Sequence, residues 1–274
     1  MQFDALFDHA SALPTVPKVV QELISSLDDD NVLIGELAPK IAADPVLSAR
    51  LLRLANSAYY HPPRPIGTID DALRMLGFST VRTLVISAGL TSSFRPIPGL
   101  DLAAFWRYSL KAAVIGRWLA KPAGVDPNQA FTVGLMHAIG QLVMHAAMPE
   151  KMLAVARVAG GFDPRRSDVE RHSFGYSFPQ VGARLAELWR FPNAYPAALK
   201  AWNEPLELAE FDRLAAVIHV AAWRARCDEN GLEPDEIAGT VPAQVLDALQ
   251  LDEAVLEDMP SPRELAAEFE GLIG

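Results

Sequence analysis

The chain has 274 residues, half of them apolar and 21% charged, with a formal net charge of −10. That length allows one large domain or two packed ones, and that balance excludes a disordered chain. The single cysteine, Cys227, excludes an intramolecular disulfide and a cysteine-based zinc knuckle and suits a reducing compartment, so a cytoplasmic location is expected.

Met1 to Pro14 carries Asp4 and Asp8 and lacks the basic stretch and apolar run of a secretory signal. Apolar residues then recur three and four apart almost everywhere, and no run alternates like a half-buried strand, so the expected fold class is all-α. A first helix carries Val16, Val19, Val20, Leu23, Ile24 and Leu27 and ends at Asp28-Asp29-Asp30, and a second spans about 32–42. Asp44-Pro45 opens a third, with the carboxylate as cap and proline at the first helical position; it buries Leu47, Leu51, Leu54 and Ala55. The run His61-Pro62-Pro63-Arg64-Pro65 must be a loop. Thr68, three before Asp71, starts a short helix that Gly77 stops in the manner of a left-handed C-cap. An apolar helix over about 80–91 follows; with its lone Arg82 it suits core packing better than the recognition helix of a helix-turn-helix.

The rigid break Arg95-Pro96-Ile97-Pro98-Gly99 marks the expected boundary between two packed helical subdomains, 1–98 and 99–226. Helices are expected over 102–120 and, after the cap Asp126-Pro127, over 128–147. The stretch 130–148 lacks formal charge over about a membrane span, but His137, Gln141 and His145 mark it as a buried helix. Shorter helices follow over 149–159, 168–174, 179–190 and 196–202, then a long amphipathic one over 208–226. Residues 227–274 form an acidic helical extension packed on the module, with helical patches at 241–248 and 263–269. Residues 1–202 hold 20 basic and 17 acidic side chains, whereas 203–274 hold 4 and 17. The acidic part opposes a nucleic-acid partner; it serves as a solvated cap, as a dock for a basic partner, or as a cover for a cleft.

Several collinear motifs between about residues 13 and 226 resemble the HDOD domain, a bacterial signalling module related to the HD phosphohydrolases. They are Leu13-Pro14-Thr15-Val16-Pro17, Asp44-Pro45, Leu51-Leu52-Arg53-Leu54-Ala55-Asn56-Ser57-Ala58-Tyr59-Tyr60 and Ala72-Leu73-Arg74-Met75-Leu76-Gly77. They continue with Phe105-Trp106-Arg107-Tyr108-Ser109, Gly134-Leu135-Met136-His137-Ala138-Ile139-Gly140, Val181-Gly182-Ala183 and Trp189-Arg190-Phe191-Pro192. The resemblance implies that the second subdomain is a degenerate HD-like helical bundle.

HD enzymes hold a divalent metal with a histidine, an adjacent His-Asp pair and a distal aspartate, because acidifying a bound water takes several such donors. Carried over by the resemblance, the first histidine position holds Tyr108, the pair reads His137-Ala138, and the distal aspartate position falls at Ala221 or Ala222. Two further histidine positions hold Phe178 and Trp202-Asn203. Only His137 survives, so no bound metal, no cofactor and no enzymatic activity are expected, and His137 is expected to donate one ring N–H to a carbonyl.

The resemblance implies a regulatory module acting through signalling partners, diguanylate cyclase or phosphodiesterase domains among them, in motility, stress or cyclic-nucleotide networks. The alternatives are a cleft lined by Tyr108, His137, Ala138, Phe178, Trp202 and Asn203 that binds a nucleotide by stacking without hydrolysis, or a residual phosphohydrolase with other ligands. Asn56, Tyr59 and Tyr60 form a candidate partner surface beside the proline loop, or else a helix end with its rings packed.

Overall fold

Among the described residues of the computed structural model, which are 2–8, 14–27, 34–57, 60, 62–267 and 269 (the side chains of 34–37 excepted), every regular element is helical. The first helices are α1 (Ala5–Asp8), α2 (Lys18–Ser25), α3 (Ile34–Ala42), α4 (Pro45–Ala55), α5 (Ile69–Leu76) and α6 (Phe78–Ser93). A central set follows: α7 (Leu102–Ala120), α8 (Pro127–Met136), α9 (Gly140–Ala147), α10 (Pro149–Val158), α11 (Arg166–Phe174), α12 (Phe178–Leu188), α13 (Ala194–Ala201) and α14 (Arg213–Glu229). The last are α15 (Pro234–Ala238), α16 (Ala243–Leu249), α17 (Ala254–Glu257) and α18 (Pro262–Ala267).

Aspartates start the main helices. Asp44 accepts from the Val46 and Leu47 amides at 3.0 Å each, Asp101 from Ala104 at 3.0 Å and Asp126 from Gln129 at 2.7 Å. Each carboxylate satisfies amides that the helix itself cannot, for about 1 kcal/mol. The α4 stripe is buried at Leu47, Leu51, Leu54 and Ala55 as its periodicity requires. Gly77 sits at φ 78°, ψ 157°, an extended conformation at positive φ that is open to glycine, in place of the expected left-handed C-cap. The chain therefore turns sharply there and re-enters a helix at Phe78.

α6 is the pillar of the first half. Its residues from Thr83 to Thr91 are all buried, while Arg82 donates to the Ser26 carbonyl at 2.6 Å and lies over the Phe78 ring. No polar face is left for DNA bases, consistent with the core reading of this helix. α6 packs on α8, and Phe94 meets Trp106 and Trp189 at 5.8 and 6.5 Å, so the hydrophobic core runs across the proline break without interruption.

The helix expected over 128–147 is two helices. Between α8 and α9 the Ile139, Gln141 and Leu142 amides bond three residues back, to Met136, Ala138 and Ile139, which tightens the turn and redirects the axis. Gly140 shows why: a Cβ there would lie 2.0 Å from the Phe178 carbonyl oxygen, so only glycine lets α9 meet the start of α12 backbone to backbone. By length and composition Pro127–Ala147 could cross a membrane, but 89% of its apolar window is buried inside the molecule, as in a core element.

α14 begins at Arg213, where Asp212 accepts from the Ala215 amide, and not at 208 as expected. The tail packs through Leu246, Leu249 and Phe269 on α7 and α14; Trp223 donates to the Thr240 hydroxyl and Arg213 to the Leu249 carbonyl. Asp228 and Glu229, at the end of α14, receive Lys111, and Arg107 chelates Glu229.

Candidate functional site: an aromatic plug

Five elements converge on the positions to which the resemblance carries the ligands of HD enzymes. Tyr108 projects from α7, His137 caps the end of α8 with Ala138 beside it, Phe178 opens α12, Trp202 closes α13, and Ala222 lies in α14. The first five are at most 4% exposed, and Ala222 is fully buried. The sequence thus named side chains that the fold does bring together, apart from Asn203, which is held outward by its bond to the Ser167 hydroxyl at 2.8 Å.

Their mutual contacts are aromatic. The His137 ring meets Tyr108 and Trp202 edge to face, each with centroids 4.9 Å apart; Trp202 lies 5.9 Å from Phe178, and Phe162 covers Tyr108 at 4.8 Å. Such pairs are worth about 0.5–1.5 kcal/mol each beyond the area they bury. Polar atoms are tied to the backbone. Trp202 Nε1 donates to the His137 carbonyl at 3.0 Å, and the His219 Nδ1 lies 3.0 Å from the Trp202 carbonyl.

His137 Nδ1 lies 2.6 Å from the Gly134 carbonyl, which can only accept, so this nitrogen carries the proton. The ring therefore donates to a carbonyl, as its sequence context implied. Burial pushes its pKa down to about 4, against the pull of the Gly134 carbonyl, and the charge of Arg226 lowers it further. Tyr108 is pushed up to about 12, again chiefly by burial, so its phenol stays protonated; its hydroxyl reaches the Ala222 carbonyl at 3.4 Å.

These residues do not fit a divalent metal. His137 has one free ring nitrogen, Nε2, with no hydrogen-bond partner among the described residues. The rings packed against it are Tyr108, a neutral phenol, and Trp202, and Ala138, Ala221 and Ala222 offer no side-chain donor. No three His, Cys, Asp or Glu side chains among the described residues could hold a metal. Phe178 and Trp202, the rings on which the nucleotide alternative would stack a base, are 4% and 3% exposed and lie 5.9 Å apart.

Behind the plug lies a buried ionic cluster that sequence reasoning missed. Arg166 Nε donates to Glu170 Oε1 at 2.8 Å, Nη1 to the Ala159 carbonyl at 3.0 Å, and Nη2 lies 3.2 Å from His145 Nε2. Glu170 Oε2 accepts the Phe178 amide at 2.8 Å, which fixes the start of α12 and hence the Phe178 ring. Burial pushes the Glu170 carboxyl up, against the opposing pull of Arg166 and of the Phe178 amide. The neighbouring guanidinium adds to burial in pushing His145 down to about 4. The available signal was the i, i+4 spacing of Arg166 and Glu170, which on an exposed helix means little.

Two residues of the candidate partner surface, the exposed Asn56 and the half-buried Tyr60, make contacts within the molecule. Asn56 Nδ2 donates to the Leu52 and Ile66 carbonyls and its Oδ1 accepts the Ile66 amide at 2.7 Å, so it clasps the proline loop. The Tyr60 ring lies 6.4 Å from Phe269. Tyr59 lies outside the described residues, as do His9 and His61. Nor do the tail contacts described above reach the plug; Phe162, in the loop between α10 and α11, covers it instead.

Residues 13–205 match the family model of the HDOD domain. The chain belongs to the HDOD domain family. Among solved structures, this HDOD chain is similar to a Shewanella amazonensis SB2B protein named as a candidate phosphohydrolase, at 32% identity over 96% of this chain and 97% of that one, with a TM-score of 0.78. The fold is shared with an HDOD domain protein of unknown function from Geobacter sulfurreducens, at 23% identity over 99% and 94% of the two chains and TM-score 0.72. A Marinobacter aquaeolei VT8 protein named as a candidate signal transduction protein shares it too, at 24% identity and TM-score 0.74 over 100% of this chain and 60% of that one. An uncharacterized Treponema pallidum protein is 22% identical over 192 residues, which span 69% of this HDOD chain and only 37% of that longer protein.

Proposed function

We propose that this HDOD chain is a non-enzymatic regulatory module that works by binding signalling proteins in the cytoplasm. The observation that supports this is the plug: one neutral histidine is packed between Tyr108 and Trp202, and the positions to which the resemblance carries the carboxylate ligands hold alanine. The HDOD fold and the signalling description of the Marinobacter relative favour a regulatory role. Diguanylate cyclase and phosphodiesterase domains are the partner classes to try first, since the family's context points to cyclic-nucleotide networks.

Phosphodiester hydrolysis, suggested by the name of the Shewanella relative, would require donors that this site lacks. The test is elemental analysis of the purified chain together with an assay on bis-p-nitrophenyl phosphate with added manganese. Metal below a tenth of an equivalent and no turnover are expected, and a stoichiometric metal with turnover would overturn the proposal.

A further inference from the structure

Between α13 and α14 the chain reads Asn203-Glu204-Pro205-Leu206-Glu207-Leu208-Ala209-Glu210-Phe211-Asp212. Its apolar positions look like the start of an amphipathic helix, yet they are not folded into one. Leu206, Leu208 and Phe211 are 44%, 40% and 39% exposed. Single exposed leucines need no explanation, but three large apolar side chains within six residues make a patch.

The patch borders a groove of about 930 Å³, walled by Leu208 and Phe211 on one side and by Gln129, Pro179, Gln180 and Lys200 on the others. The groove shares α12 and α13 with the plug. Ser177 and Pro179, which flank Phe178, line it, and so do Ala201 and Asn203, which flank Trp202.

Charge decides what fits. Five acidic residues line the groove (Asp126, Glu204, Glu207, Glu210 and Asp212) against three basic ones. Two of those bases are engaged: Arg171 by Glu204 and Asp168, and Arg213 by the Ala123 and Leu249 carbonyls. Asp126 and Asp212 cap helices, whereas Glu207 and Glu210 form no salt bridge among the described residues. An acidic rim around apolar side chains repels phosphates and nucleic acid and favours a basic segment.

We infer that this groove docks an amphipathic, basic segment of a partner protein, with its leucine-like residues on Leu208 and Phe211 and its Lys or Arg residues on Glu207 and Glu210. This deepens the binding role proposed above and rests on it. Helix-in-groove recognition has this form, with apolar anchors spaced three and four apart and a complementary charged rim.

The test uses the full chain and a fluorescent synthetic Leu/Lys amphipathic helix, read by anisotropy, with a Leu/Glu counterpart and a scrambled Leu/Lys sequence as controls. Two surface variants are compared, Leu208→Ser with Phe211→Ser, and Glu207→Lys with Glu210→Lys; unchanged melting curves establish that both are folded. Saturable binding of the Leu/Lys helix alone is expected, weakened about 10-fold or more by each variant and reduced by salt for the wild type more than for the charge-reversed one. Equal binding of a control peptide, unchanged affinity in either variant, or no binding at all would overturn the inference. So would concentration-dependent self-association that the Leu208→Ser, Phe211→Ser variant abolishes, because the occupant would then be a second copy. If that variant still captures a purified cyclase or phosphodiesterase domain as the wild type does, only the groove assignment fails; if the wild type proves to be a metal-dependent hydrolase, the binding role itself fails.

Discussion

Replacing Glu170 by alanine should be among the most damaging single changes in the chain, although it touches no surface. Glu170 is fully buried and Arg166 is 2% exposed. Removing the carboxylate leaves the guanidinium with only the Ala159 carbonyl and the His145 ring, and it deprives the Phe178 amide of its acceptor. Breaking a buried pair from one side costs about 3–5 kcal/mol, a large part of a domain stability of about 5–15 kcal/mol. For a chain of this size that corresponds to a fall in Tm of roughly 6–20 °C. Thermal and urea unfolding followed by circular dichroism measure it. The double replacement Arg166→Met, Glu170→Leu removes both charges and should be more stable than Glu170→Ala alone, with the unmet Phe178 amide as its residual cost of about 1–3 kcal/mol. A loss under about 1 kcal/mol for Glu170→Ala, or a double variant whose loss equals the sum of the singles, would refute the coupling.

Acid should destabilise the protein through its two buried, neutral histidines. His137 and His145 have folded pKa values near 4 against 6.5 unfolded, so between those values the unfolded chain binds more protons and stability falls as pH falls. From pH 6.5 to 5 each contributes a loss of about 1.5 kcal/mol, and unfolding of His137→Gln and His145→Gln variants across that range should show a shallower pH dependence. Gly140→Ala would force a Cβ to 2.0 Å from the Phe178 carbonyl and should cost about 3 kcal/mol or more or fail to fold, whereas Gly160→Ala, with no atom within 4 Å, should melt like the wild type. Asn56→Ala removes three bonds that hold the proline loop to α4 and should cost about 2–3 kcal/mol by urea unfolding.

What the sequence made legible was whatever local chemistry dictates. The aspartate caps, the α4 stripe and the proline breaks each depend on neighbours within a few residues, and they reappear where their pattern demands. Features decided by distant backbone were not legible. The α8–α9 break depends on the Phe178 carbonyl, nearly forty positions beyond Gly140, and nothing near Gly140 announces it. The start of α14 moved because Leu208 and Phe211 satisfy helical periodicity without being buried, and periodicity alone cannot tell a core face from an unused one. The plug residues were located through family motifs, but their packing on one another came from the fold. The Arg166 cluster stayed hidden because burial, not spacing, gives an ion pair its weight.

The residues at the positions to which the resemblance carries the HD ligands make sense as a set. Carboxylates around a metal are held apart by its positive charge; without it, two buried aspartates would repel each other and face an uncompensated desolvation penalty. Alanine at position 138, and at the distal position that the resemblance places at 221 or 222, avoids that penalty but leaves space, and space in a core is itself destabilising. Tyr108, Phe178 and Trp202, standing where the resemblance places histidines, supply the missing volume around His137. Each exchange removes a charge or a lone pair, or fills a gap, and all point the same way. The outcome is a closely packed, largely aromatic floor. The Glu170 bond to the Phe178 amide then has a clear role: it keeps one wall of that floor, and the groove edge at Pro179 beside it, in register with the rest of the core.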